Sequence, residues 1–157
     1  MEKIERAIVR LLTAQKRTLA LAESCTGGFI AHQITNVPGA SKVFLGGIVA
    51  YSNEVKRKFL GVRTKTLERH GAVSKATAAE MAQGARKRFG TDFAIAVTGI
   101  AGPSGGTKTK PTGTVFIALS GAFGTVVEHK INRLSREQFK KATARQALEL
   151  LRTNIKG

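Results

Sequence analysis

Three short polar segments of this sequence hold a hydroxyl, a phenol with a primary amine, and a glycine-rich loop, and together these are the parts of an acyl-transfer site. In Glu23-Ser24-Cys25-Thr26-Gly27-Gly28, a serine stands just before two glycines and a resumed apolar periodicity. A hydroxyl there would lie among the unpaired N–H groups of a helix N-terminus, at the positive end of the helix dipole. In that setting it can serve as a nucleophile beside an oxyanion hole. The same pattern also fits Ser24 or Thr26 as a plain helix cap, or Glu23, Ser24 and Thr26 as ligand contacts that do not react. Cys25, the only cysteine, is a rival nucleophile and equally a small core residue.

A serine nucleophile needs a base, and His32, His70 and His129 fall outside these segments. The stretch Tyr51-Ser52-Asn53-Glu54-Val55-Lys56 offers a substitute. If Asn53 opens a helical turn, Tyr51 and Lys56 can both face one cleft. A lysine is a base only when burial or neighbouring positive charge lowers its pKa, and a tyrosine can relay the proton. The alternatives are a solvated charge run, since Arg57 and Lys58 follow, and a core tyrosine. The third segment, Thr98-Gly99-Ile100-Ala101-Gly102-Pro103-Ser104-Gly105-Gly106, has neither Walker A nor G-x-G-x-x-G spacing. Its composition suits an anion nest formed by backbone N–H groups, or a connection that lets strand and helix pack closely.

The elements that would position these segments follow from periodicity. Ile4, Ala7, Ile8, Leu11 and Leu12 mark an amphipathic helix over 2–16. A strand over 18–22, the polar turn and a helix over 29–35 follow. Val43 to Tyr51 reads as a second strand, with Gly46 and Gly47 marking a bulge or close backbone approach. Two short polar helical pieces come next, and Thr77-Ala78-Ala79-Glu80 has capping-box spacing for a helix that runs to Phe89 and stops at Gly90. Phe93 to Val97 is the continuous apolar run of a central strand covered on both faces. Beyond the glycine-rich loop, 114–119 and 125–131 form an antiparallel hairpin around Gly121 and Gly124. Ser135 with Gln138 caps a last helix that aligns Ala144, Leu148, Leu151 and Ile155. This order predicts a three-layer α/β/α single domain with a mixed sheet over residues 1–157. The polar segments follow its strands, where such folds place their sites.

The chain has 157 residues with 26 Lys+Arg and 10 Asp+Glu, a net charge of +16. A surplus of this size attracts polyanions, nucleic acid and phosphorylated small molecules alike. The basic residues fall in short clusters without an aromatic stacking motif, which predicts weak, non-specific nucleic-acid binding only. One cysteine excludes an intramolecular disulfide and a cysteine-rich metal site, and the histidines show no metal-ligand spacing. With no run of membrane-spanning length and a charged start, MEKIERAIVR, the sequence reads as cytoplasmic, without a membrane partner. It is compatible with a homo-oligomer.

Taken together, A-E-S-C-T-G-G at 22–28, Y-S-N-x-x-K at 51–56, H-G-A-V-S at 70–74, T-G-I-A-G-P-x-G-G at 98–106 and K-P-x-G-T-V at 110–115 resemble the CinA C-terminal domain family. The resemblance covers about residues 5 to 153, with the five motifs in order. The family includes nicotinamide-nucleotide amidohydrolases, which convert nicotinamide mononucleotide to nicotinate mononucleotide and ammonia. The resemblance implies Ser24 as nucleophile, Tyr51 and Lys56 in proton transfer, and Thr98 and Gly99 lining the substrate. It also suggests the stand-alone form of a domain that many relatives join to a molybdopterin-binding-like domain. Two departures stand out. Leu134-Ser135-Arg136 replaces the family's usual G-D-R, and Lys108 lies where acidic residues are common.

The reading is therefore an amidohydrolase for a small phosphorylated substrate, nicotinamide mononucleotide, working with no metal or organic cofactor. Glu23, Thr26, Gly27, Gly28, Asn53, Thr98, Gly99, Gly102 and Arg136 are its expected substrate contacts, with Gly27 and Gly28 near the oxyanion and Arg136 at the phosphate. The alternatives are an inactive, nucleic-acid-associated basic protein, or an amidase for another small amide.

Overall fold

A computed structural model of the chain describes residues 1–155. Its sheet has five strands, β1 (Leu19–Glu23), β2 (Phe44–Val49), β3 (Phe93–Gly99), β4 (Thr114–Gly121) and β5 (Gly124–Ile131), in the order β2-β1-β3-β4-β5. The first three are parallel, while β4 and β5 run antiparallel, so the sheet is mixed. Helices α1 (Ile4–Gln15), α2 (Phe29–Thr35) and α6 (Arg136–Ile155) pack together on one face. Helix α5 (Lys75–Phe89) lies along the other face, with α3 (Asn53–Leu60) and α4 (Thr64–His70) against it. The result is the three-layer α/β/α architecture. No helix among the described residues is long and apolar enough to cross a membrane.

Strand alternation builds two different cores. Leu21, Ile95 and Leu119 form one row across β1, β3 and β4, facing α1, α2 and α6. Ala22, Ala96 and Ala118 form the next, facing α5. β3 is buried over six of its seven residues, as a strand covered on both faces should be. β2 is one of the two edges, its residues half-buried and exposed in turn. It slips register beside Leu19 and Ala20, and the Phe89 ring fills the space a side chain on Gly46 would need.

Boundaries hold within two or three residues, with one shift of cap. Ser74, not Thr77, caps α5: its Oγ accepts from the Thr77 N–H at 3.1 Å, and the helix starts at Lys75. Thr77 lies inside the helix and donates to the Gly71 carbonyl, while Glu80 takes Arg63 and Thr66. Capping-box spacing alone did not distinguish the two registers.

The chain passes from β1 to β2 through α2 on one face, and from β2 to β3 through α3, α4 and α5 on the other. β1, with neighbours reached over opposite faces, is a topological switch point. The crevice at the carboxyl ends of the parallel strands opens there.

Candidate active site

Ser24 follows β1, Tyr51 follows β2, and Thr98 and Gly99 close β3, so the three polar segments meet in that crevice. Ser24 is clamped to both neighbours: its own N–H donates to the Val97 carbonyl, and the Ala50 N–H donates to the Glu23 carbonyl. The chain then turns sharply through Gly27 (φ 60°) and Gly28 (φ 101°), conformations side chains disfavour, into α2. Glu23 fixes the turn. Its buried carboxylate accepts from Thr26 Oγ1 at 2.6 Å, from the Ile30 N–H at 2.9 Å and from the Ala31 N–H at 3.0 Å. It satisfies donors at the start of α2 that would otherwise be orphaned.

Ser52 caps α3 by accepting from the Val55 N–H, and the helix carries Lys56 inward to 1% exposure. Lys56 Nζ lies 3.0 Å from Ser24 Oγ, 2.9 Å from the Ala50 carbonyl and 3.1 Å from the Tyr51 carbonyl. No carboxylate is among these partners. Burial pushes its pKa below the ordinary lysine value. Arg57 and Lys58, the adjoining cations, are exposed, so desolvation rather than like-charge repulsion is the cause. In the neutral amine, the two carbonyls hold the two N–H groups, and the lone pair is left facing the Ser24 hydroxyl. Burial lifts the Cys25 thiol to about 12, so next to Ser24 it stays an unreactive thiol.

A cleft of about 260 Å³ opens over the serine and lysine. Ser24, Tyr51, Lys56, Thr98, Gly99, Gly102 and Arg136 all line it. Thr98 Oγ1 donates to the Ala72 carbonyl at 2.7 Å, holding the 71–74 segment as the opposite wall. Lys110 Nζ braces the same wall by donating to the His70 carbonyl. Arg136 stands at the mouth. Its Nη1 donates to the Gly102 carbonyl at 2.8 Å and its Nη2 lies 3.5 Å from Tyr51 Oη, which leaves guanidinium donors open. Tyr51 is 65% exposed, and among the described residues its phenol is hydrogen-bonded to Arg136 and to neither Ser24 nor Lys56. Its carbonyl, rather than its ring, reaches the lysine.

Glu23, Thr26, Gly27, Gly28 and Asn53 do not line the cleft. The first two brace the turn from below, the Gly27 N–H donates to the Ser24 carbonyl, Gly28 begins α2, and Asn53 faces solvent. Among the described residues, the N–H groups of Cys25 and Thr26, unlike that of Gly27, donate to no backbone carbonyl. The lining also includes Ala72, Val73, Ile100, Ala101, Ser104 and Gly105. The last four belong to the glycine-rich third segment, and Ala72 and Val73 to the 70–74 motif. Lys140 on α6 is a neighbour that sequence reasoning missed, its ammonium lying 3.7 Å from the Cβ position of Gly27. Among the described residues, no group of three or more His, Cys, Asp or Glu side chains is placed to hold a metal ion.

The family model described as CinA C-terminal domain matches residues 1–155. The chain belongs to the CinA C-terminal domain family. It is 49% identical over 156 residues to a CinA-like protein of Thermotoga maritima, and 50% identical over 155 residues to one of Thermotoga neapolitana. Each match covers 99% of this chain and 38% of the relative, so the chain spans under two fifths of the length of these relatives. Among solved structures, it superposes with a TM-score of 0.93 on the competence/damage inducible protein CihA from Agrobacterium tumefaciens, at 43% identity over 96% of this chain and 92% of that one. A CinA superfamily protein from Klebsiella pneumoniae gives the same TM-score at 34% identity, over 97% of this chain and 95% of that one. The five-stranded mixed sheet and its helical layers are thus those of a CinA domain.

Proposed function

We propose that this CinA domain is a serine amidohydrolase that deamidates nicotinamide mononucleotide. The observation that carries the reading is the contact between Ser24 Oγ and the buried, carboxylate-free Lys56 Nζ at 3.0 Å. Neutral Lys56 accepts the hydroxyl proton as Ser24 Oγ bonds to the carboxamide carbon, and the negative oxygen turns to the N–H groups of Cys25 and Thr26. Protonated Lys56 returns the proton to the nitrogen, the C–N bond breaks and ammonia leaves. Water then adds to the acyl ester with Lys56 again as base, releasing the carboxylate and restoring Ser24. Tyr51 contributes its carbonyl to orient the amine, and its ring forms the rim of the cleft. The resemblance to nicotinamide-nucleotide amidohydrolases supports the substrate. The basic surface, the open donors of Arg136 and the adjacent 99–106 loop support a site for its phosphate. The site needs no metal or organic cofactor for these steps. Nucleic acid should bind only weakly, through general charge, and a dyad kept intact counts against a purely nucleic-acid-associated role. Purified protein should release ammonia from nicotinamide mononucleotide, Ser24→Ala should release none, and Cys25→Ser should keep most activity. No ammonia from the wild type would overturn the reading.

A further inference from the structure

Helix α5 contains one glycine, Gly84, amid residues that otherwise favour helix. A glycine inside a helix lowers its stability, so its presence calls for a reason. A Cβ built on Gly84 would lie 1.7 Å from the Leu60 carbonyl oxygen and 2.7 Å from its carbon. Both are backbone atoms and cannot swing aside. Even alanine at 84 would force α3 and α5 apart by more than an ångström.

Leu60 is the last residue of α3, one helical turn beyond Lys56, and both are buried on the same side of the helix. α5 also holds this end of α3 from a second point, where Arg88 Nη2 donates to the Lys58 carbonyl at 3.2 Å. The groups that Lys56 reaches are anchored elsewhere. Ser24 is tied to β3, and Ala50, whose carbonyl accepts from the amine, is tied to β1. The amine therefore rides on α3 while its partners belong to the sheet, and the separation between them is set by how deeply α3 seats on α5.

We propose that Gly84 is a positioning residue for Lys56: the missing side chain lets α3 settle until the amine meets Ser24 and is closed off from water. This inference rests on the role of Lys56 as the base. Gly84 is not among the residues that line the cleft, so its effect would pass through α3.

The test compares wild type, Gly84→Ala and the exposed neighbour Gln83→Ala for melting temperature, kcat, KM and the pH dependence of kcat/KM on nicotinamide mononucleotide. Gly84→Ala should lower kcat on the order of a hundredfold, the scale of a one-ångström misplacement, with KM within about twofold. Its apparent pKa should move up toward ordinary lysine as water reaches the amine, while Gln83→Ala matches wild type. A folded Gly84→Ala protein with wild-type kcat and an unshifted pH profile would overturn the inference. If Gly84→Ala does not fold, Leu60→Ala, which loosens the same seat without adding atoms, is measured in its place. A raised apparent pKa there supports the inference; an unshifted profile, or failure to fold, overturns it. An inactive wild type would sink the proposed function itself, whereas an active wild type with an unaffected Gly84→Ala sinks only this step.

Discussion

Across β1, β3 and β4, the row Leu21, Ile95 and Leu119 faces α1, α2 and α6, and the adjacent row Ala22, Ala96 and Ala118 faces α5. The aliphatic face buries the larger side chains, Ile8, Leu12, Phe139, Leu148 and Leu151 among them. Each contributes about 1.5–3 kcal/mol by leaving water. The alanine face, lined further by Ala78, Ala82 and Ala85, buries less per residue. Small residues instead let α5 lie close to the sheet, and α3 close to α5. Ser24 and Lys56 meet on the side of the smaller residues, while the larger buried side chains lie on the other. Changes on the two faces should therefore separate activity from folding.

Short of removing Ser24 itself, Lys56→Met should have the largest effect on activity, a loss of at least about 10²–10⁴-fold in ammonia release, the range for a missing general base. The same change should leave the melting temperature equal or higher, because methionine fills the space without burying an amine that lacks an ionic partner. The pH dependence of stability should change as well. The folded chain binds a proton at Lys56 less readily than the unfolded chain, so between the lowered pKa and about 10.4 wild-type stability rises with pH. Lys56→Met should lose that rise, as denaturant titrations across this window would reveal. A variant that keeps near-native turnover would remove Lys56 from the chemistry.

Leu148→Ala probes the aliphatic face. It should reduce unfolding free energy by about 2–5 kcal/mol, the cost of a buried leucine cavity, and leave kcat within about twofold below the melting transition. A large fall in kcat with little loss of stability would show that the two faces are not separate in their roles.

Much of this division was legible in the sequence. The alternation of large and small apolar residues along 19–22 and 93–97 already encodes both faces, with Phe116 on β4 a large residue on the alanine side, and the apolar run of β3 marks the covered centre. Ser24, Tyr51 and Lys56 were legible as chemistry-bearing residues, and the structure brings Ser24 and Lys56 into contact. The geometry around them was not legible. Glu23 looks like a ligand contact in sequence because a carboxylate is reactive in many settings, yet its contacts are the N–H groups of α2. Tyr51 looks like a proton relay because of its phenol, and only the fold shows its carbonyl meeting the amine while the ring faces out. Gly84 shows in the sequence only as a glycine inside a helix, since what it makes room for is Leu60, distant in sequence and brought near by packing.

The smallest expected effect lies at the mouth of the cleft, on neither face. If Arg136 and the 99–106 loop hold the phosphate, nicotinamide mononucleotide should be processed at least about tenfold better than nicotinamide riboside, because a charge-assisted contact contributes on the order of 1.5–3 kcal/mol. The phosphate is remote from the amide, so its binding energy acts through positioning, and its loss should lower kcat as well as affinity. Arg136→Ala should narrow that gap. An unchanged gap would clear Arg136 and leave the loop, and equal rates on both substrates would mean that no phosphate site exists.

The pH dependence of kcat/KM for ammonia release by the wild-type protein tests the pairing of Ser24 with a neutral Lys56. Only the unprotonated amine can accept the serine proton, and burial favours that form. The rate should rise with pH through one apparent pKa well below the roughly 10.4 of free lysine, and this limb should be absent from any residual activity of Lys56→Met. A flat profile, or one that keeps its rising limb in Lys56→Met, would contradict a neutral Lys56 as the base.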